Sequence, residues 1–271
     1  MRATTVYKYW RLLTLSWQNG LVYRMSVVMW RIRRFLAALM SLTIWSTIYA
    51  SSGTSATPFG YSQSAMISYI FLISVLQNLV MATALNGLAS DVYTGQISNH
   101  LLKPLSLYGY FAMQEIADKL KNTSAMVFEF AALFLIFKPE LVIPTLGILG
   151  LFVVWTLGAI VLNFIISLLF GSLGFWSPET WAPRFLFYTL LQFAAGQLFP
   201  LDVLPKVFQK IMYATPLPYL SFVQTQLFLG KIDGAAQLRH TAILFGWIFM
   251  LGAIARMVWK KGLQDYDAAG R

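Results

Sequence analysis

Residues 141–178 form a run of 38 residues that contains no charged side chain. As one straight helix this run would be about 57 Å long, at about 1.5 Å per residue, whereas the hydrocarbon core of a bilayer is about 30 Å thick. Two crossings would need a polar turn in the middle of the run, and none is present. We therefore predict one membrane crossing that ends where glycines and prolines interrupt the helix, at Gly171, Gly174, Pro178 and Pro183.

The composition also indicates an integral membrane protein. Hydrophobic residues make up 58% of the chain and charged residues 11%, whereas soluble domains average about 45–50% and about 25%. So few charges cannot cover a water-facing surface of this size. The net charge of +10 does not indicate nucleic-acid binding, because the basic residues lie at the ends of apolar runs and not on one polar stripe.

Six runs are long and apolar enough to be membrane spans, which predicts an all-α integral membrane protein with a single transmembrane domain over residues 1–271. A bilayer-spanning helix needs roughly 20 mostly apolar residues. Besides the run that opens near residue 141, the candidates cover residues 25–50, 64–85, 122–137, 185–199 and 241–259.

The distribution of basic residues predicts the orientation. With six spans and the N-terminus inside, 15 of the 20 lysines and arginines lie on the inner side and 5 on the outer side. Such an excess is typical of cytoplasmic loops. We therefore expect both ends of the chain to be cytoplasmic. The first 25 residues hold no uninterrupted apolar core, so we expect no cleavable signal peptide.

Residues 1–22 have the pattern of an interfacial helix on the inner leaflet. Trp10 and Trp17 share one helical face with Val6 and Leu13, and Lys8 and Arg11 lie off it. The alternative is the frayed start of the first span.

Residues 86–108 form a cytoplasmic loop that is long for a helix–helix connection, which usually has about 2–8 residues. The stretch "QISNHLL" is compatible with a short helix, and Pro104 ends it. A short helix at the inner surface is an element that another protein could bind. The alternative is a solvated loop.

Polar residues inside the predicted spans are few. Glu129 lies in the middle of the third span and Asn163 in the fourth. Intramembrane carboxylates are costly and often functional, although a protonated or hydrogen-bonded structural role is the alternative. We expect Arg31, Arg33 and Arg34, early in the first span, to reach the inner headgroups and anchor the helix.

Motifs for chemistry are lacking. The two histidines fall on opposite sides of the predicted membrane, and the chain has no cysteine, so we expect no metal site. No phosphate-binding loop, nucleophile elbow or facing carboxylate pair occurs. We therefore expect this chain not to be an enzyme and to hold no cofactor.

Three stretches give the chain a resemblance to the permease of type-2 ABC exporters: "TGQISNHLLKPL", "LFPLDVLPKVFQKIMYATPLPYLSF" and "GLQDYDAAGR". The first resembles the coupling loop of one branch of that family, the second its outer segment, and the third its cytoplasmic tail. The order of the elements is similar as well: an inner interfacial helix, two spans, a coupling loop, three spans, an outer segment and a last span.

The resemblance implies an exporter subunit in a bacterial cytoplasmic (inner) membrane. Two permeases would pair, more often different chains than copies, and each would dock on one of two cytoplasmic ATP-binding subunits that bind ATP and Mg. Membrane lipid would be a further partner, and nucleic acid would not. The resemblance implies that the helix around Trp10 and Trp17 lies beside the contact with the ATPase. It also implies that seven residues of the loop make this contact: Asp91, Gly95, Ile97, His100, Leu101, Lys103 and Pro104.

Residues 198–238 include an amphipathic segment punctuated by prolines, which we expect on the outer face. Pro200, Pro205 and Pro216 break it into short helices, and Phe208 and Ile211 belong to an apolar face beside two lysines. We predict that these helices re-enter the outer leaflet and close the exit of the path. The alternative is a surface helix without a gating role.

Other functions fit parts of the pattern. A proton-coupled secondary transporter would use Glu129 as its proton site. A membrane-embedded enzyme would need Asp, His or Arg concentrated at one membrane face, which the sequence lacks. An assembly protein without transport activity is also compatible with the composition. The apolar and aromatic spans favour an amphiphilic, lipid-linked or drug-like substrate.

Overall fold

The computed structural model describes residues 2–22, 24–51, 60–102 and 105–266, and the regular secondary structure in these ranges is helical, without a β-strand. This confirms the all-α prediction. Short 3₁₀ turns separate several of the α-helices. The α-helices of the described ranges are α1 (Arg2–Val22), α2 (Arg24–Ser51), α3 (Gln63–Met81), α4 (Leu88–Tyr93), α5 (Ser98–Leu101), α6 (Leu107–Phe137), α7 (Leu146–Ser172), α8 (Trp181–Ala194), α9 (Lys206–Ala214), α10 (Phe222–Phe228) and α11 (Gly234–Gln264).

Side-chain caps fix the start of three long helices. The Ser62 hydroxyl accepts a hydrogen bond from the third residue of α3, and Ser106 does the same for the backbone N–H of Gly109 in α6, at 3.1 Å. The Asp233 carboxylate accepts from the N–H of Ala236 in α11, at 2.8 Å. Because the first N–H groups of a helix have no partner within it, these caps favour a helix start at these positions.

Four helical segments of the described chain are long and apolar enough to cross a membrane: Gln63–Met81, Leu107–Phe137, Leu146–Phe175 and Gly234–Gln264. They coincide with the second, third, fourth and sixth predicted spans. The first predicted span corresponds to α2, which has 28 residues but carries several arginines. The multi-pass membrane character is therefore confirmed, and the count of six crossings stays a prediction.

The long uncharged run forms one helix, α7, as predicted. Its start lies at Leu146, later than expected, because Pro139 and Pro144 keep the preceding residues out of the helix. A 3₁₀ turn follows its end at Ser172, close to the predicted exit. α7 packs against α3, α10 and α11, so it lies at the centre of the bundle.

The third span is much longer than the predicted residues 122–137. α6 begins at Leu107, so the loop predicted at residues 86–108 ends where this helix starts. The sequence hid the inner half of α6 because Glu115, Asp118 and Lys119 interrupt its apolar pattern. These side chains have partners in the folded chain, which offsets the cost of their partial or full burial.

The fifth predicted span is a short helix followed by buried irregular chain. α8 has 14 residues and is therefore about 21 Å long, which is shorter than the hydrocarbon core. Beyond it, Ala195, Gln197 and Leu201 are buried within the protein. Because irregular backbone is tolerated at membrane depth only where protein surrounds it, this burial is what such a segment requires.

Candidate functional site

A compact helical unit lies at the inner end of the bundle, following the predicted orientation. It comprises the 3₁₀ turn Ala84–Gly87 and helices α4 and α5. We call it the inner unit. It shares an apolar core with α6, α7 and α11 whose buried members are Leu85, Leu88, Val92, Ile97, Tyr110, Phe111, Leu168 and Trp259.

A buried ion pair on α6 fixes the start of the inner unit. The Glu115 carboxylate accepts hydrogen bonds from the Thr83 hydroxyl (2.9 Å) and the Ala84 N–H (3.0 Å). The Lys119 ammonium lies 3.5 Å from Glu115 and donates to the carbonyl of Val80 at 2.6 Å. The pair therefore binds both the end of α3 and the turn that follows. We did not predict it, although an acid and a base four residues apart in an apolar helix were a usable signal.

Glycines let α4 approach the end of α7 closely. A Cβ atom at Gly174 would lie 2.1 Å from the backbone oxygen of Ala89, and one at Gly171 would lie 2.4 Å from the side chain of Leu88. Backbone cannot move aside as a flexible side chain can. α4 therefore rests directly on the inner end of α7.

The turn between α4 and α5 contains several of the residues that we predicted to couple to an ATPase. Gly95 has a φ of 81°, a conformation that favours glycine, and the N–H of Ile97 donates to the Asp91 carbonyl at 3.1 Å. The Ile97 side chain is fully buried, so it supports the turn from inside. Lys103 and Pro104 lie outside the described residues.

The tip of the inner unit exposes apolar side chains. The ring of His100 packs against that of Tyr110, with 4.3 Å between centroids. Burial raises the pKa of the Asp91 carboxyl, and its electrostatic interaction with His100 opposes this shift. Leu101 is 45% exposed and Leu102 is 85% exposed. These two neighbouring leucines are therefore available for contact with another protein or with lipid.

Helix α1 packs along α6 beside the inner unit. The hydroxyls of Tyr9 and Ser106 are 3.2 Å apart and hydrogen-bonded. Trp10 and Arg11 are exposed and Trp17 is half-buried. The exposed tryptophan is available to a membrane surface, and the position of α1 on the inner leaflet stays a prediction.

At the opposite end of the bundle, a short helix begins directly after each of the three predicted prolines, Pro200, Pro205 and Pro216. Pro200 is buried, and the helix that follows Pro205, α9, has no buried residue. Phe208 and Ile211 on α9 are 55% and 53% exposed. The apolar face of α9 is thus available to lipid or to a second chain.

The backbone around α9 returns into the bundle through polar contacts. The Tyr69 hydroxyl donates to the Gly196 carbonyl at 2.6 Å, and Gly196 has a φ of 68°. The Ser221 hydroxyl donates to the Ala195 carbonyl at 2.9 Å. Buried hydroxyls therefore satisfy carbonyls that no helix satisfies.

A second polar cluster holds the chain on both sides of α9. The Tyr61 hydroxyl donates to the Asp202 carboxylate at 2.6 Å, and the Gln226 amide donates to the Tyr61 oxygen at 3.0 Å. The Lys231 ammonium lies 3.7 Å from Asp202 and 3.2 Å from the centroid of the Tyr61 ring. Burial lowers the pKa of Lys231, and the neighbouring carboxylate opposes the shift.

Glu129 has a partner that we did not predict. The Arg31 guanidinium donates from Nε to Glu129 Oε1 at 2.6 Å and from Nη2 to Oε2. We predicted for Arg31 only a role at the headgroups and missed this carboxylate, which accepts hydrogen bonds from two of the three guanidinium nitrogens of Arg31. The Arg33 guanidinium lies 5.0 Å from the Trp30 ring. Asn163 is buried on α7.

The histidines lie in different parts of the molecule. His100 belongs to the inner unit, whereas His240 on α11 is buried near the outer end with its Nδ1 3.0 Å from the Tyr219 hydroxyl. Among the described residues, no three His, Cys, Asp or Glu side chains are grouped so that they could hold a metal ion.

Comparisons with known proteins bear on the identity of the chain. No curated protein matches the chain. The family model described as "ABC-2 family transporter protein" matches residues 35–270, which include the inner unit, the central helices and the outer segment. This match covers most of the 271 residues, and the bundle carries four candidate membrane spans. The chain belongs to the ABC-2 transporter family and is a membrane permease of an ABC transporter.

Proposed function

We propose that this permease forms half of the translocation path of an ATP-driven exporter and that its inner unit docks on a separate cytoplasmic ATPase. ABC-2 permeases associate with an ATP-binding subunit, which makes a docking surface necessary. The observation that carries the proposal is the inner unit itself, which is folded on a buried core and exposes Leu101 and Leu102 at its tip.

The packing of the inner unit suits the transfer of force. Glu115 and Lys119 bind it to α3 and α6, and Gly174 brings it into backbone contact with the end of α7. A unit joined to three long helices cannot shift without moving them. In this proposal, closure of the ATPases would push the inner unit and tilt these helices, since packed helices move largely as rigid bodies.

The outer segment is proposed to close the exit of the path. α9 presents Phe208 and Ile211 outward, while the chain on either side of it is held by Tyr69 and Asp202. The outer segment is held at both ends and exposes an apolar face on α9. These features are compatible with an element that inserts partly into the outer leaflet and moves during transport.

The remaining partners follow from the same proposal. Two ATP-binding subunits would supply ATP and Mg, and this chain would carry no catalytic group or cofactor. A second permease, more often a different chain, would cover part of the exposed apolar surface, for example Trp181, Phe185 and Leu190 on α8. The complex would lie in a bacterial cytoplasmic membrane with both ends of this chain inside.

The test is copurification of the tagged chain from native membranes in mild detergent, with and without Leu102→Asp. We expect the unchanged chain to recover an ATPase that has a phosphate-binding loop, and Leu102→Asp to reduce that recovery at least about fivefold, since a charge would be buried in an apolar contact. Val142→Asp is the matched control, because Val142 is 81% exposed in the loop between α6 and α7.

Equal recovery of the ATPase by the Leu102 and Val142 variants would contradict the docking surface. Recovery of the permease alone, in a detergent that preserves a known transporter complex, would contradict the ATPase partner as well. A proton-coupled transporter remains the competing function, but the side-on ion pair with Arg31 does not favour Glu129 as a proton site.

A further inference from the structure

A polar cavity of about 410 Å³ lies between α1, α2 and α6 beside the 3₁₀ turn Ala84–Gly87. This volume is in the range of small-molecule sites, about 300–1,000 Å³. Neither the inner unit's proposed docking surface nor the outer segment includes it. The lining residues that carry charge or aromatic character are Trp30, Arg31, Arg34, Asp118 and Lys121.

The cavity has an excess of positive charge. Lys121 and Asp118 neutralise one another at 2.8 Å, and Arg31 is paired with Glu129. Arg34 forms no ion pair within the described part of the chain. The cavity therefore holds one guanidinium whose charge has no direct counterpart.

Two arginines that line the cavity each have a buried guanidinium nitrogen without a hydrogen-bond acceptor among the described residues. Arg31 is 7% exposed, and its Nε and Nη2 donate to Glu129, while its Nη1 has no hydrogen-bond partner among the described residues. Nη1 of Arg34 is also buried and unpartnered there. Unsatisfied buried donors are costly, and guanidinium groups are suited to donate to the oxygens of a phosphate.

The depth of the cavity corresponds to a headgroup layer. α3 has 19 residues and is therefore about 28 Å long, close to the thickness of the hydrocarbon core. Thr83 and Ala84, which line the cavity, follow its end directly. Trp30 at the rim is 55% exposed, as is usual for tryptophan at a membrane interface.

We propose that this cavity binds the phosphate of an anionic phospholipid from the inner leaflet, with Arg34 and the free edge of Arg31 as its ligands. The lipid would bridge α1, α2 and α6, since all three helices line the cavity. Basic pockets between membrane helices on the cytoplasmic side are suited to such headgroups. The proposal goes beyond the transport function and does not depend on the ATPase partner.

The test measures lipid binding to the delipidated full chain by native mass spectrometry, with phosphatidylglycerol and phosphatidylcholine as probes. We expect phosphatidylglycerol to bind at least about tenfold more tightly, and Arg34→Gln to weaken it at least about tenfold. Arg256→Gln is the control, because Arg256 is an exposed arginine on α11 outside the cavity. The affinity of the Arg256→Gln variant for phosphatidylglycerol should stay within about twofold of that of the unchanged chain.

Equal binding of phosphatidylglycerol by the Arg34 and Arg256 variants would overturn the proposal, and so would equal binding of the two lipids. Displacement of the lipid by millimolar inorganic phosphate would overturn the lipid as the ligand and indicate a soluble phosphate compound. The thermal unfolding midpoint without lipid shows whether Arg34→Gln is folded. If it is not, Arg34→Lys replaces it, and an unchanged affinity in that variant would overturn the role of the guanidinium.

Discussion

Removing either charge of the Arg31–Glu129 pair should destabilise the chain, and removing both together should not. The two side chains join α2 to α6 through two hydrogen bonds and are only 9% and 18% exposed. Glu129→Leu alone leaves the Arg31 guanidinium buried without its counter-charge, and Arg31→Met alone leaves the carboxylate unpaired. The double variant replaces both charges by apolar side chains and leaves neither charge unpaired.

The expected magnitude follows from this burial. Loss of one partner of a fully buried pair costs about 3–5 kcal/mol, whereas an apolar replacement of both is often neutral or stabilising. Arg31 lines the inner cavity, where water and headgroups can solvate part of its charge. We therefore expect about 2–3 kcal/mol for each single variant and less than about 1 kcal/mol for the double variant.

The assay is the free energy of unfolding, measured by titration with SDS in mixed micelles for the four chains of the cycle. Glu179→Gln serves as a control, because Glu179 is an exposed carboxylate on the turn before α8. Single variants that match this control would refute the energetic role of the pair. A double variant that loses the sum of the single losses would refute the coupling between Arg31 and Glu129.

The same variants separate the two candidate functions. In an ATP-driven permease, the folded Arg31→Met/Glu129→Leu chain should retain transport, because the pair joins two helices and carries no proton. In a proton-coupled transporter the double variant would lose transport although its stability is restored. Transport in vesicles, with and without ATP, distinguishes these outcomes once folding has been shown to be equal.

The remaining predictions concern the inner unit and the outer segment. Gly174→Ala should lower both the recovery of the ATPase and the thermal stability of the chain. The Cβ atom of the new alanine would lie 2.1 Å from the backbone oxygen of Ala89, so α4 would have to shift. Normal recovery and stability would contradict the backbone contact. The double variant Phe208→Ser/Ile211→Ser should leave assembly intact and change the transport rate, since both side chains are exposed on α9. Lys210→Ser serves as a polar control on the same helix. Unchanged export in the double variant would exclude a gating role.

The apolar pattern was sufficient to predict the helices that depend on hydrophobicity alone. The uncharged run predicted α7 because a helix of that composition has to be surrounded by lipid or protein. The prolines likewise predicted where the outer helices begin, since Pro205 sets the backbone before α9 and proline is not tolerated beyond the first turn of a helix.

The parts that the sequence did not predict depend on contacts between distant residues. Lys119 lies outside the predicted third span, because nothing local shows that the backbone carbonyl of Val80 accepts a hydrogen bond from its ammonium group. The partner of Arg31 was not predicted either, because Glu129 lies 98 positions further along the chain. In both cases a charge inside the bundle signals a partner, but its identity is fixed only by the packing of α6 against α2 and α3.

The pairing of α7 with α11 gives the proposed transport cycle a physical path between the two ends. Trp259 donates from Nε1 to the Leu168 carbonyl at 2.9 Å near the inner unit, and Trp155 donates to the Thr241 hydroxyl at 2.9 Å towards the outer end. Contact is close between these points as well, since a Cβ atom at Gly158 would lie 2.9 Å from α11. A displacement of the inner unit should therefore tilt α7 and α11 together. No residue of α9 is fully buried, and only its partly buried side chains, such as Met212 and Tyr213, pack against the core. The outer segment is therefore where such a tilt can be accommodated at the lowest cost in packing.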